Sequence, residues 1–174
     1  VKEDHALTIV NETKYSDGSS ADGLDDMRAA FKSGDYRLCL QLLEERPVPA
    51  TTDEGYLLFV CGAALGGDMY FAEAVLEIKK TRGIFLECAV PFRGQADNWA
   101  EEERKRYERI IRESDFVTVL SPFYTRGCMM KRNRYMVDKS SVVIALDYGE
   151  SGGTAATKAY AEKRGLRIIP LRHK

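Results

Sequence analysis

Residue types that hold phosphate are concentrated between Lys131 and Thr154. The segment opens with Lys131, Arg132, Asn133 and Arg134, passes through Tyr135, Met136 and Val137, and enters an apolar run over 142–146. It closes on Gly149, Glu150, Ser151, Gly152, Gly153 and Thr154. A glycine turn that ends a strand and opens a helix leaves backbone N–H groups without intrahelical partners, facing one point where an anion fits. The Thr154 hydroxyl adds a donor, and an arginine fork matches phosphate bidentately. Residues two apart on a helix look in different directions, so only one of Arg132 and Arg134 can face such an anion squarely. The competing reading is a plain connecting turn preceded by a solvated charged face.

A second glycine turn lies at 62–68, with Gly62, Gly66, Gly67 and then Asp68. Glycine permits tight backbone and close approach of a ligand. Asp68 falls near a helix start, where aspartate is a favoured cap; acidic residues in this place also hold ribose hydroxyls in dinucleotide folds. Pro91, Phe92 and Gln95 follow one apolar run, and Ser121 and Tyr124 follow another. Trp99 is the single tryptophan; it is either a packing anchor or a surface for a base, with Phe92, Phe123 and Tyr124 as alternatives.

These residues need elements to position them. Candidate strands are 6–10, 57–61, 85–90, 116–120, 142–146 and 167–171. Helical stripes lie between them: Met69, Ala72, Val75 and Leu76; Tyr107, Ile110 and Ile111; Ala155, Ala156, Ala159 and Tyr160. Asp97 is a candidate N-cap for a helix near Trp99, and Gly83 and Gly165 stand where left-handed C-caps are wanted. Charges over 101–112 read as the wet face of a helix. Residues 11–23 read as a loop, followed by helical segments at 24–32 and 36–46 that Pro47 and Pro49 end. Alternation of short apolar strands with helices predicts an α/β domain, a three-layer α/β/α Rossmann-like arrangement with a mostly parallel sheet of about six strands. All the turns above then share the carboxyl edge of the sheet, where ligands of open α/β folds bind.

The chain has 174 residues, which suits one domain over 1–174. A formal net charge of −1 argues against general attraction to nucleic acid. No apolar run approaches the roughly 20 residues that span a bilayer. No secretory leader is legible, and a start at Val1 leaves the natural N-terminus expected upstream. Cys39, Cys61, Cys88 and Cys128 are widely spaced, and His5 and His173 lie near the ends, so no metal site is expected. Buried free thiols and a reducing cytoplasm are the expectation.

Several pieces, in order, resemble one family: 62–69 with Ala72 and Glu73, 91–95 with Trp99, then Tyr107, Asp115, Tyr124, 132–138 and 152–154. They resemble the YpsA-like branch of the SLOG superfamily, which also holds the DprA/Smf DNA-processing proteins and the Lonely Guy proteins. The resemblance covers a core at 57–171, and residues 1–52 are divergent. It implies a bacterial, cytoplasmic protein with a Rossmann-like fold and a nucleotide or phosphorylated-nucleoside ligand. It also makes a homodimer an expectation, since SLOG proteins commonly self-associate. Two departures stand out. The branch usually ends its first strand with a Thr-Gly-His-Arg-type motif, where this chain has Asn11, Glu12, Thr13 and Lys14. Lonely Guy proteins cleave nucleoside 5′-monophosphates at the N-glycosidic bond with carboxylates after the glycine loop; here Ala155, Ala156 and Thr157 stand there. Alanine offers no titratable group for acid–base help, so ligand binding leads and a glycosidase is the alternative, with Asp68 or Glu150 supplying the carboxylate. A second alternative is single-stranded nucleic acid on Lys131, Arg132, Arg134 and Arg126 beside Tyr124 and Tyr135.

Overall fold

The computed structural model describes residues 7–11, 58–81, 83–147 and 152–172. Its strands are β1 (Leu7–Asn11), β2 (Leu58–Cys61), β3 (Phe85–Val90), β4 (Phe116–Val119), β5 (Val142–Asp147) and β6 (Arg167–Arg172). Its helices are α1 (Gly67–Lys79), α2 (Glu101–Glu113), α3 (Cys128–Asp138) and α4 (Gly153–Lys163). The strands form one sheet in the order β4-β3-β2-β1-β5-β6.

Alternation along each strand splits the core into two layers. Phe59, Cys61, Leu86 and Cys88 meet Met69, Ala72 and Val75 of α1 and Ile110 of α2 on one face. Val60, Ala89, Val143 and Ala145 meet Met136 and Val137 of α3 and Ala161 of α4 on the other. This is the expected three-layer α/β/α arrangement.

β2, β3 and β4 run parallel, as do β5 and β6. β1 is antiparallel to both β2 and β5, so five strands point one way and β1 opposes them. Apolar patterning marks a strand as buried but carries no direction, which is why the pattern did not separate β1 from the rest. Asn11 pairs with Leu58 at the start of β2; it belongs to β1 and not to a loop, and β1 ends on the edge opposite the glycine turns.

Other expectations shift locally. α2 starts at Glu101 with Ala100 as its N-cap residue; Asp97 instead donates its N–H to the Gly94 carbonyl in the preceding turn. α4 buries Thr157 and Ala161, not the alanine stripe, because short alanines bias a helix weakly while Thr157 has a buried polar partner. Gly165 has φ +73 and caps α4 as expected, whereas Gly83 shows no left-handed φ. β4 is an edge strand with Phe116, Val117 and Val119 exposed. Helical expectations at 24–46, and residues His5, Cys39, Glu150 and His173, lie outside the described residues.

On the α2 side, Arg106 donates from Nε and Nη2 to the two Glu73 carboxylate oxygens at 2.8 and 2.6 Å. It also stacks over Tyr70, 4.0 Å from the ring centroid. The Glu73 carboxylate holds this guanidinium above its usual value, against the opposing effect of burial. Arg109 reaches the same carboxylate. Thus part of the charge run over 101–112 latches α2 to α1, while the rest is the wet face expected.

Candidate functional site

The strand order reverses between β2 and β5: from β2 the chain builds outward through β3 and β4, and from β5 outward to β6. Both glycine turns flank this switch point, on the carboxyl ends of β2 and β5, where open α/β sheets form their ligand crevice. The glycines that precede the two helices have similar backbone conformations. Gly66 precedes α1 with φ 91 and ψ −129, and Gly152 precedes α4 with φ 107 and ψ −167. Among the described residues, neither N-cap glycine has a side-chain cap, and a Cβ at either would meet nothing within 4 Å. Only glycine enters this backbone region without strain.

Beneath the turns runs a buried chain of hydrogen bonds. Arg132 Nη1 donates to the Gly62 carbonyl at 3.0 Å and Arg132 Nε donates to Asn133 Oδ1 at 2.6 Å. Asn133 Nδ2 donates to Thr157 Oγ1 at 2.9 Å, and Thr157 Oγ1 donates to the Gly153 carbonyl at 2.7 Å. Two consecutive residues of α3 thereby tie the β2–α1 turn to the start of α4. Arg132 is 5% exposed and Thr157 wholly buried.

Asp68 completes the floor on the β2 side. It is 1% exposed; its Oδ2 accepts from the Ala64 N–H at 3.2 Å and lies 3.7 Å from Arg132 Nη1. A Cβ on Gly62 would fall 1.8 Å from Arg132 Nη1, so glycine is required there by close approach of the guanidinium. Ala63 takes φ 46 in the same turn, an uncommon conformation for alanine. Gln95 Nε2 donates to the Ala63 carbonyl at 3.0 Å and, more weakly, to the Gly62 carbonyl at 3.5 Å. Its Oε1 is buried with no hydrogen-bond partner among the described residues.

The remaining candidates divide by place. Phe92 and Tyr124 meet edge to face, with centroids 5.3 Å apart and Tyr124 68% exposed. Ser121 Oγ donates to the Phe123 carbonyl, shaping that loop. Trp99 packs edge-on against Tyr107 at 5.3 Å, as an anchor for α2. Pro91 is fully buried at the end of β3. Arg134 points away from Arg132, over the Tyr160 ring at 5.5 Å, and Lys131 Nζ donates to the Leu120 carbonyl. Lys131 and Arg134 of α3 thus engage different partners.

A polar cluster that sequence reasoning missed sits under the C-terminal end of α3. Glu87, 2% exposed in β3, accepts from Tyr135 Oη at 2.5 Å, Thr118 Oγ1 at 2.7 Å and Lys139 Nζ at 3.1 Å. Burial pushes its carboxyl up, but the donors together outweigh burial and hold it below its usual value. The signal was present: a glutamate inside an apolar run needs partners.

Fold and site together define a Rossmann-like α/β protein with paired glycine turns at the switch point. The model of the YspA SLOG family (YpsA) matches residues 31–168, and the chain belongs to that family. It is similar to a UPF0398 protein of Halalkalibacterium halodurans, 31% identical over 124 residues, covering 69% of this chain and 66% of the relative. It is also similar to a UPF0398 protein of Bacillus pumilus, 25% identical over 113 residues, covering 63% and 61%. A prophage-derived protein of Bacillus subtilis, YoqJ, is 27% identical over 128 residues, covering 66% and 75%. The chain thus spans just under two thirds of the length of the first two relatives.

Proposed function

We propose that this protein binds a nucleotide or phosphorylated nucleoside derivative in the crevice between the Gly66 and Gly152 turns. The observation that carries this reading is the buried chain from the Gly62 carbonyl through Arg132, Asn133 and Thr157 to the Gly153 carbonyl. It holds two uncapped helix starts in fixed relation at the place where α/β folds take ligands. The backbone at Gly152, Gly153 and Thr154 receives the phosphate, because helix N-termini attract anions. Phe92 and Tyr124 flank the base. Asp68 and Arg132, both buried, shape the turn and supply a fixed charge pair beneath it. In this reading the protein acts in the cytoplasm as a ligand sensor. Among the described residues, no helix is long and apolar enough to cross a membrane.

Neither alternative gains an observation. A glycosidase needs a titratable group in reach of the glycosidic bond; Ala156 has none, Thr157 is committed to Asn133 and Gly153, Asp68 is buried beside Arg132, and Glu150 lies outside the described residues. Nucleic-acid binding needs a basic groove, and Lys131 and Arg134 face other partners.

Calorimetric titration with a nucleotide panel (AMP, ADP, NAD and ADP-ribose) tests the reading. Binding by at least one, lost in Gly152→Val, is the expected result. Folded protein that binds none at millimolar concentration sinks it.

A further inference from the structure

One pair of groups is left unused by nucleotide binding. Cys61 and Cys88 are Cα partners on the parallel strands β2 and β3, both wholly buried. Their Sγ atoms lie 3.9 Å apart. Paired strands run about 4.8 Å apart, within the ~4.4–6.8 Å Cα separation that a disulfide spans. Bond formation requires the sulfurs to close to about 2.05 Å. Both side chains already point to the same face, beneath α1 and α2, so side-chain rotation supplies much of that movement.

A third group orders the pair. Ser114, just after α2, has its Oγ 3.0 Å from Cys88 Sγ and donates to the Ile110 carbonyl at 2.7 Å. With the Ser114 proton engaged, the neutral Cys88 thiol donates to Ser114, and Cys61 donates to Cys88. When Cys88 loses its proton, the Cys61 S–H faces the anion and the Ser114 hydroxyl can turn toward it. Contact with Cys61 brings Cys88 below its usual value, and the same contact, with burial, pushes Cys61 well up. Cys88 lies between the Ser114 hydroxyl and the Cys61 thiol, and this position makes Cys88 the nucleophile and Cys61 the resolving thiol. Ser114 is half-buried rather than enclosed and touches Cys88, so a small oxidant that reaches Ser114 is next to the Cys88 sulfur.

We propose that Cys61 and Cys88 are an oxidisable dithiol that a peroxide closes to a disulfide. The Cys88 thiolate attacks one peroxide oxygen; an S–O bond forms, the O–O bond breaks, and the leaving hydroxide takes up the proton Cys88 released. Cys61 sulfur then attacks Cys88 Sγ; the S–S bond forms, the S–O bond breaks, and the Cys61 proton leaves with the hydroxyl as water. Two thiols lose two electrons and one peroxide becomes two waters. Cys61 directly precedes Gly62, whose carbonyl holds Arg132 and Gln95, so the disulfide tightens the root of the β2–α1 turn.

The test uses the reduced full chain, treated with hydrogen peroxide, alkylated and digested under non-reducing conditions. The expected result is loss of two hydrogens per chain and a linked Cys61–Cys88 peptide, reversed by dithiothreitol. Dimedone should label Cys88 in Cys61→Ser and leave Cys61 unlabelled in Cys88→Ser. Linkage through Cys39 or Cys128, stepwise oxidation to sulfinic and sulfonic acids without a link, or no reaction in folded protein overturns the proposal. The wild-type peptide map decides even if a variant fails to fold, and no nucleotide enters the experiment.

Discussion

The two halves of α3 each carry a buried polar network, and they are built for different ends. In the first, Arg132 donates to the Gly62 carbonyl, and Asn133 reaches the Gly153 carbonyl through the Thr157 hydroxyl, so two turns at the sheet's edge are joined. At the C-terminal end, Tyr135 and Lys139 converge on one carboxylate in the middle of β3. The second network closes on itself and clamps helix to sheet. The first opens onto glycine backbone, so its geometry is passed to surface that a ligand can touch. A charged residue near a candidate site can thus serve the site without being exposed in it.

Variants can break or sharpen that contrast. The largest effect is expected from Arg132→Met, which leaves the buried Asp68 without its guanidinium neighbour; breaking a buried pair costs about 3–5 kcal/mol. Chemical denaturation should show this loss, and calorimetry should show nucleotide binding lost as well. Retained binding would remove Arg132 from the shaping of the turn. Gly62→Ala comes next, since its Cβ would lie 1.8 Å from Arg132 Nη1; overpacking of this kind costs about 1–3 kcal/mol, with weakened binding in the same titration.

Glu87→Gln should act on the other network alone, lowering stability at neutral pH by roughly 1–3 kcal/mol through weakened hydrogen bonds to a charged group while binding persists. The pH dependence has a definite sign. Glu87 is held below its usual value of 4.5, so its contribution is present above that value and is lost as pH falls below it. Denaturation midpoints across this range should fall less steeply in Glu87→Gln than in the wild type; equal slopes would remove Glu87 from the acid response. Arg134→Ala should be the mildest, within about 0.5 kcal/mol, with binding unchanged, because Arg134 faces Tyr160.

The layers and turns were legible because they repeat locally. Glycines after apolar runs marked both turns, and the two-residue spacing of Arg132 and Arg134 foretold that they diverge. The partners were not legible. Glu87 meets Tyr135 across 48 residues and Arg132 meets Gly62 across 70, and no periodicity encodes such pairs. Thr157 looked like one more substitution in an alanine-rich helix start, yet it is the link to Gly153. The direction of β1 was hidden because burial is the same whichever way a strand runs.

The double fastening of α3 also has a consequence in time. From Arg132 to Lys139 this helix is held by two buried polar networks, with Met136 and Val137 wholly buried in the same stretch, so that part of it has little freedom to open locally. Its amides should exchange with solvent only when the whole molecule unfolds. In an exchange experiment, residues 132–137 would then report global stability, while the exposed start of α4 at Gly152 exchanges early.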